Sequence, residues 1–182
     1  MIERITRVIQ LDFSVFKEIE SDPQATTEAA IIVAVTTLLS AIGSAIGSDN
    51  PVAGFVGPII SGLVGWGLWS VVTYFVGKSI FAGKGTLEGM LRVLGYASAP
   101  NILGILVFIP CIGWVAALAG WLLSLIAGVM AVREGLDLTL GAAIGVVIIG
   151  WFARVAVAIA VAVAFGGAFV VGAGLLRLLT GR

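Results

Sequence analysis

Gly95-Tyr96-Ala97-Ser98-Ala99-Pro100 lies between a short charged segment, Lys84 to Arg92, and an apolar run that ends at Pro110. Pro100 lacks a backbone donor and its ring clashes with the carbonyl four residues earlier, so a helix through this stretch must bend or break between Ala97 and Pro100. In lipid the carbonyls freed by the break need partners from other helices, which places the stretch inside a bundle. Tyr96 sets an aromatic ring with a polar tip at the same depth. Gly95, Tyr96 and Pro100 are therefore read as a structural bend around which the other apolar runs assemble.

The rest of the chain suits that setting. Of 182 residues, 60% are hydrophobic and only 11% charged, with a mean hydropathy of +1.17, a composition outside the soluble globular range and inside that of polytopic membrane proteins. Ten basic residues balance ten acidic ones, which leaves no overall electrostatic case for nucleic acid or an acidic substrate as partner. Histidine is absent and Cys111 is the lone cysteine, so imidazole catalysis, disulfides and the usual zinc sites lack their residues, and neither a metal nor a cofactor is expected. A Gly-x-Ser-x-Gly elbow, a phosphate loop and paired intramembrane carboxylates are also missing. Lys84 in Gly83-Lys84-Gly85 stands without the spaced glycines of a P-loop. No catalytic residue is assigned, and the chain is not read as an enzyme.

Outward from the bend, the expected fold is all-α: a five-helix transmembrane bundle with an interfacial N-terminal amphipathic helix. Residues 1–22 form that helix, with Ile2, Ile5, Val8, Ile9, Phe13, Phe16 and Ile19 at helical spacing and Glu3, Arg7, Gln10, Lys17 and Glu18 mostly opposite. Asp12 falls on the apolar face and is read as a break that caps a second short helix. Residues 23–165 form the transmembrane domain, with spans at about 26–47, 52–81, 95–109, 112–132 and 139–165, and residues 166–182 are a tail. Asp22-Pro23 is the start signal of the first span. The second is longer than a bilayer requires, and therefore tilted, kinked at Pro58 or extended beyond the lipid. Ala116, Gly120, Ser124 and Gly128 give the fourth span the most regular small-residue stripe, the first choice for a tight helix contact. From Val155 to Phe165 large residues alternate with alanine; an unpaired strand cannot cross lipid, so this too is read as helix. A competing reading places the last span at Val155 to Leu179.

Lysine and arginine then collect on the side of Arg4, Arg7, Lys17, Lys78, Lys84, Arg92 and Arg133, and the positive-inside rule puts the N-terminus in the cytoplasm and the C-terminus outside, in the cell (inner) membrane. Lys78, Lys84, Arg92 and Arg133 are candidate contacts for lipid headgroups or an acidic protein surface; as basic residues flanking spans they also have a purely topological explanation. Arg154 is the one intramembrane charge. It either faces a cavity or partner, or snorkels to the outer interface.

The order of features, with Asp22-Pro23 before the first span, Gly77-Lys78-Ser79-Ile80-Phe81 before a glycine-rich turn, then Gly95-Tyr96-Ala97-Ser98-Ala99-Pro100 and a span ending Val132-Arg133-Glu134-Gly135, resembles a prokaryotic Yip1-domain protein from about Ile5 to about Phe165. The resemblance implies a five-helix membrane protein with a cytoplasmic N-terminus. Eukaryotic relatives are associated with Rab GTPases and vesicle transport, but this chain lacks their long cytosolic N-terminal region, which argues against direct GTPase binding. The expected function is non-enzymatic, through membrane lipids and another membrane protein or a homo-oligomer, in membrane organisation or a trafficking-like role. The alternative is a small oligomeric channel or transporter using Arg154 and the Pro100 bend.

Overall fold

The computed structural model describes residues 1–46, 49–109, 112–153 and 155–156, and every regular element among them is a helix. The first 22 residues form two short helices, α1 (Ile2–Ile9) and α2 (Val15–Ser21), rather than one. The break is local chemistry. Leu11 takes a left-handed φ of 63°, and Asp12 Oδ1 accepts from the Ser14 backbone N–H at 3.3 Å and the Ser14 hydroxyl at 2.6 Å, a turn that competes with helix continuation. Both helices bury one stripe: Val8, Val15, Phe16 and Ile19 are fully buried.

α3 (Ala25–Ile46) follows Asp22-Pro23, with Asp22 Oδ1 accepting from the Gln24 N–H at 3.0 Å. α4 (Pro51–Phe81) opens with an N-cap at Asn50, whose side chain accepts from Ala53 N at 3.2 Å, and Pro51 stands where a missing N–H costs nothing. It continues as one α-helix through Pro58 for 31 residues, about 46 Å at 1.5 Å per residue, well beyond the ~30 Å hydrocarbon core. Ala82 closes it in the left-handed region at φ 54°.

The third apolar run is where helix type changes. α5 (Leu87–Ala97) is capped by Thr86, whose Oγ1 accepts from Gly89 N at 3.0 Å, with Glu88 in the first turn where the helix dipole favours an acid. α5 stops at Ala97, and the chain continues as a 3-10 segment, Ala99–Phe108, with proline in its first turn. α6 (Gly113–Gly135) and α7 (Leu140–Ala153) complete the described helices. Three of these, α3, α4 and α6, are long and apolar enough to cross a membrane. The five-span count is thus narrower in what stands directly: α5 and the 3-10 segment divide the third run, and only the first part of the fifth is described. The alternating stretch from Val155 onward and the 166–182 tail lie outside the described residues, apart from 155–156.

Glycines set the closest approaches. A Cβ on Gly95 would lie 2.6 Å from Ala29 Cβ, so α5 presses directly on α3, and one on Gly120 would lie 2.7 Å from the Pro100 carbonyl oxygen, so α6 presses on the 3-10 segment. The loop after α4 docks on the loop after α6: Lys84 N donates to Leu136 O at 3.0 Å, and Gly85 packs against the Gly135 carbonyl with no room for a side chain. The core runs from α1 and α2 through Met90, Val93, Leu94 and Tyr96 of α5 to Ala127, Ala131 and Val132 of α6.

Candidate functional site

The polar residues of the bundle gather at the end where α1, α2 and the start of α3 meet α5. Tyr96 is fully buried, and its hydroxyl donates to Glu28 Oε2. Glu28 also receives Arg4 Nη1 at 3.3 Å, and the same Arg4 nitrogen lies 2.8 Å from Asp22 Oδ2. Beside Arg4, and accepting from Gln24 N, Asp22 is held below the usual carboxylate range. Arg4 is correspondingly raised, chiefly by its hydrogen bond to Asp22.

Arg92 occupies the neighbouring position. It is 8% exposed, and its guanidinium donates to Thr26 Oγ1 at 2.6 Å, the Glu20 carbonyl at 2.9 Å and Glu88 Oε2 at 3.2 Å. The planar fork thereby clamps α5 to the α2–α3 junction, a task for which five fixed donors suit arginine better than lysine. Trp66 Nε1 donates to the Leu91 carbonyl at 3.1 Å and ties α4 to the same helix.

The four basic candidates do not form one surface group. Arg92 is turned inward. Lys84 is exposed and reaches the end of α6 through its backbone bond to Leu136, near Arg133, whose side chain is 43% exposed and lies 3.5 Å from Glu134 Oε1. Lys78 is exposed at the last turns of α4, donating to the Tyr74 hydroxyl at 2.9 Å and standing 5.2 Å from its ring centroid. Asp137 pairs across the bundle end with Lys17, whose ammonium is raised chiefly by that hydrogen bond. Gly95, Tyr96 and Pro100 are all buried at the junction of α5 with the 3-10 segment. Arg154 lies outside the described residues.

Sequence reasoning did not single out Glu28 and Arg4. The available signal was a lone carboxylate in the first turn of an apolar span, which needs a partner when it leaves water.

A second feature lies deeper. A cavity of about 890 Å³ opens among α3, α4, α5, the 3-10 segment, α6 and α7, with Trp66, Trp69, Trp121 and Trp151 among its walls. Its polar groups are uncharged: Thr36, Thr37, Ser40, Ser61, Ser98, Asn101 and Ser124. The threonines, Ser61 and Ser98 donate to carbonyls three or four residues back in their own helices. Ser124 Oγ is buried without a hydrogen-bond partner among the described residues. The α6 small-residue stripe is split between two tasks, since Gly120 meets the 3-10 segment whereas a Cβ on Gly128 would meet open space.

Among the described residues, no group of three or more His, Cys, Asp or Glu is placed to hold a metal ion. A comparison with family models matches residues 11–162 to the Yip1 domain. No curated protein and no solved structure matches the chain.

Proposed function

The chain belongs to the Yip1 domain family, and from that premise we propose that this integral membrane protein is non-enzymatic and acts through contacts with lipids and other membrane proteins, in membrane organisation or a trafficking-like role. One observation carries the reading: among the described residues many large apolar side chains face outward, while many of the charges are engaged with one another at one end. Val52, Ile60 and Val64 of α4, Trp114 and Trp121 of α6, and Ile148 and Phe152 of α7 are all exposed, a surface that needs lipid or a protein partner to cover it. Arg4, Arg7, Lys17 and Arg92 are meanwhile paired within the molecule.

In this reading the runs at about 26–47, 52–81, 95–109, 112–132 and 139–165 are five spans, with the N-terminus cytoplasmic and the C-terminus outside. The α1–α2 pair lies at the cytoplasmic interface. Lys78, Lys84 and Arg133 remain as cations able to meet anionic headgroups, because Arg92 is occupied internally.

Native mass spectrometry of the protein released gently from its own membrane tests it. The expected result is a retained membrane-protein partner, or an anionic lipid that is lost when Lys84 and Arg133 are both changed to Gln. A closed homo-oligomer with neither, and ion flux in liposomes, would overturn it.

A further inference from the structure

We propose that the cavity in the bundle is a binding site for one neutral membrane lipid, whose acyl chain lies along the tryptophans and whose hydroxyl-bearing group hydrogen-bonds Ser124 and Asn101. The inference rests on the membrane reading above. Four observations lead to it. The volume of about 890 Å³ lies within the ~300–1,000 Å³ of small-molecule sites, which are mostly apolar with a few convergent polar groups. Ser124 Oγ is buried with no partner among the described residues, and Asn101, partly buried on the same wall, donates its backbone N–H to the Ser98 carbonyl at 2.9 Å and brings a side-chain amide to the cavity. A buried polar group left unpaired is costly, so a ligand that pairs it gains both affinity and orientation.

The lining also selects by charge. No Asp, Glu, Lys or Arg borders the cavity among the described residues, so an anionic or cationic headgroup would be buried without a counter-charge, whereas a hydroxyl would be matched. Depth decides the route. Ser124 lies about 16 Å along α6 from Gly113, near the middle of that helix, and the cavity rim includes the exposed Trp121, Ile148 and Trp151. A ligand therefore arrives laterally from the bilayer, which points to a lipid rather than a water-soluble metabolite.

Gly128 supplies the test. A Cβ there meets nothing within 4 Å, and leucine is a better helix former than glycine, so Gly128→Leu fills the space without straining the fold. Gly67→Leu is the matched control, since a Cβ at Gly67 also meets open space and the residue is not part of the cavity wall. In phosphatidylcholine nanodiscs, Trp114, Trp121 and Trp151 are replaced by Phe, leaving Trp66 and Trp69 as reporters. The probe is a monoacylglycerol brominated on its acyl chain, compared with phosphatidylcholine brominated at the same depth.

The expected result is saturable quenching of Trp66 and Trp69 by the monoacylglycerol, with apparent affinity reduced by about tenfold or more in Gly128→Leu and unchanged in Gly67→Leu. Quenching that rises linearly with mole fraction, or that is the same in Gly128→Leu, would overturn the proposal, as bulk lipid would then be filling an unselective groove. A companion variant, with Trp66 and Trp69 replaced by Phe instead, separates the two readings. If brominated phosphatidylcholine fails to quench exposed Trp114 and Trp151, the membrane reading itself fails; if it quenches them while Trp66 and Trp69 show no saturable component, only the lipid site fails.

Discussion

Replacing Arg92 with Gln removes a clamp rather than a surface charge, and the cost can be worked from its three bonds. The bond to Glu88 contributes little, because the Glu88 side chain is 77% exposed and the pair is screened by water. The bonds to Thr26 Oγ1 at 2.6 Å and to the Glu20 carbonyl at 2.9 Å are partly buried. Losing such a partner costs about 1–3 kcal/mol per orphaned group, and glutamine can reach at most one of the two, so the expected destabilisation is roughly 3 kcal/mol. Arg92→Lys keeps the charge but replaces a fork with a point, and should lose about half of that. The assay is denaturation in mild detergent micelles followed by far-ultraviolet circular dichroism and by fluorescence, with Trp66 as the nearest reporter through its bond to Leu91. Arg92→Gln with stability within about 0.5 kcal/mol of the parent, together with loss of an anionic lipid in native mass spectrometry, would refute the reasoning and return Arg92 to the surface.

Two further outcomes follow from the same geometry. Gly120→Leu should destabilise by about 2 kcal/mol or more, since even a Cβ would sit 2.7 Å from the Pro100 carbonyl oxygen and 3.2 Å from Leu103 Cβ; equal stability of Gly120→Leu and Gly128→Leu in the same assay would contradict the split role of the α6 stripe. Acid should release α1 and α2 before the bundle unfolds. Asp12 is lowered by its hydrogen bond to Ser14 and then by Arg7, and Asp22 by Arg4 and then Gln24 N, so both stabilise the fold above the ordinary carboxylate value of 3.8 and lose that contribution as pH falls through their lower folded values. Protease sensitivity of residues 1–22 measured down the pH scale checks it, and cleavage that is constant from neutral pH to well below 3.8 would count against the pairing.

The helical class and the apolar nature of the chain were legible because hydropathy runs of 20 or so residues have few physical solutions. The break between α1 and α2 could also be read from Asp12, since a short carboxylate on an apolar face does better bonding its own backbone. Other features were not legible, for reasons that are equally physical. Winding the ten residues after Ser98 as 3-10 rather than α follows from packing against Gly120 and from Pro100, and only the proline announces itself in one dimension. Lys78, Lys84, Arg92 and Arg133 look alike in sequence, yet one is buried against Thr26 and Glu20, partners 66 and 72 residues away. The Glu28 and Tyr96 pair and the cavity share that difficulty: both depend on which helix faces which, and a single sequence carries no record of that.

The 3-10 winding also sets how far this part of the chain reaches. Ten residues at ~2.0 Å rise run about 5 Å longer than the same ten at the α-helical 1.5 Å. Rewinding to the α form would shorten that reach like the stroke of a piston, while turning Ile109 by roughly half a revolution relative to Ser98. Gly120, with its backbone held against Pro100, sits where such a stroke would be felt first.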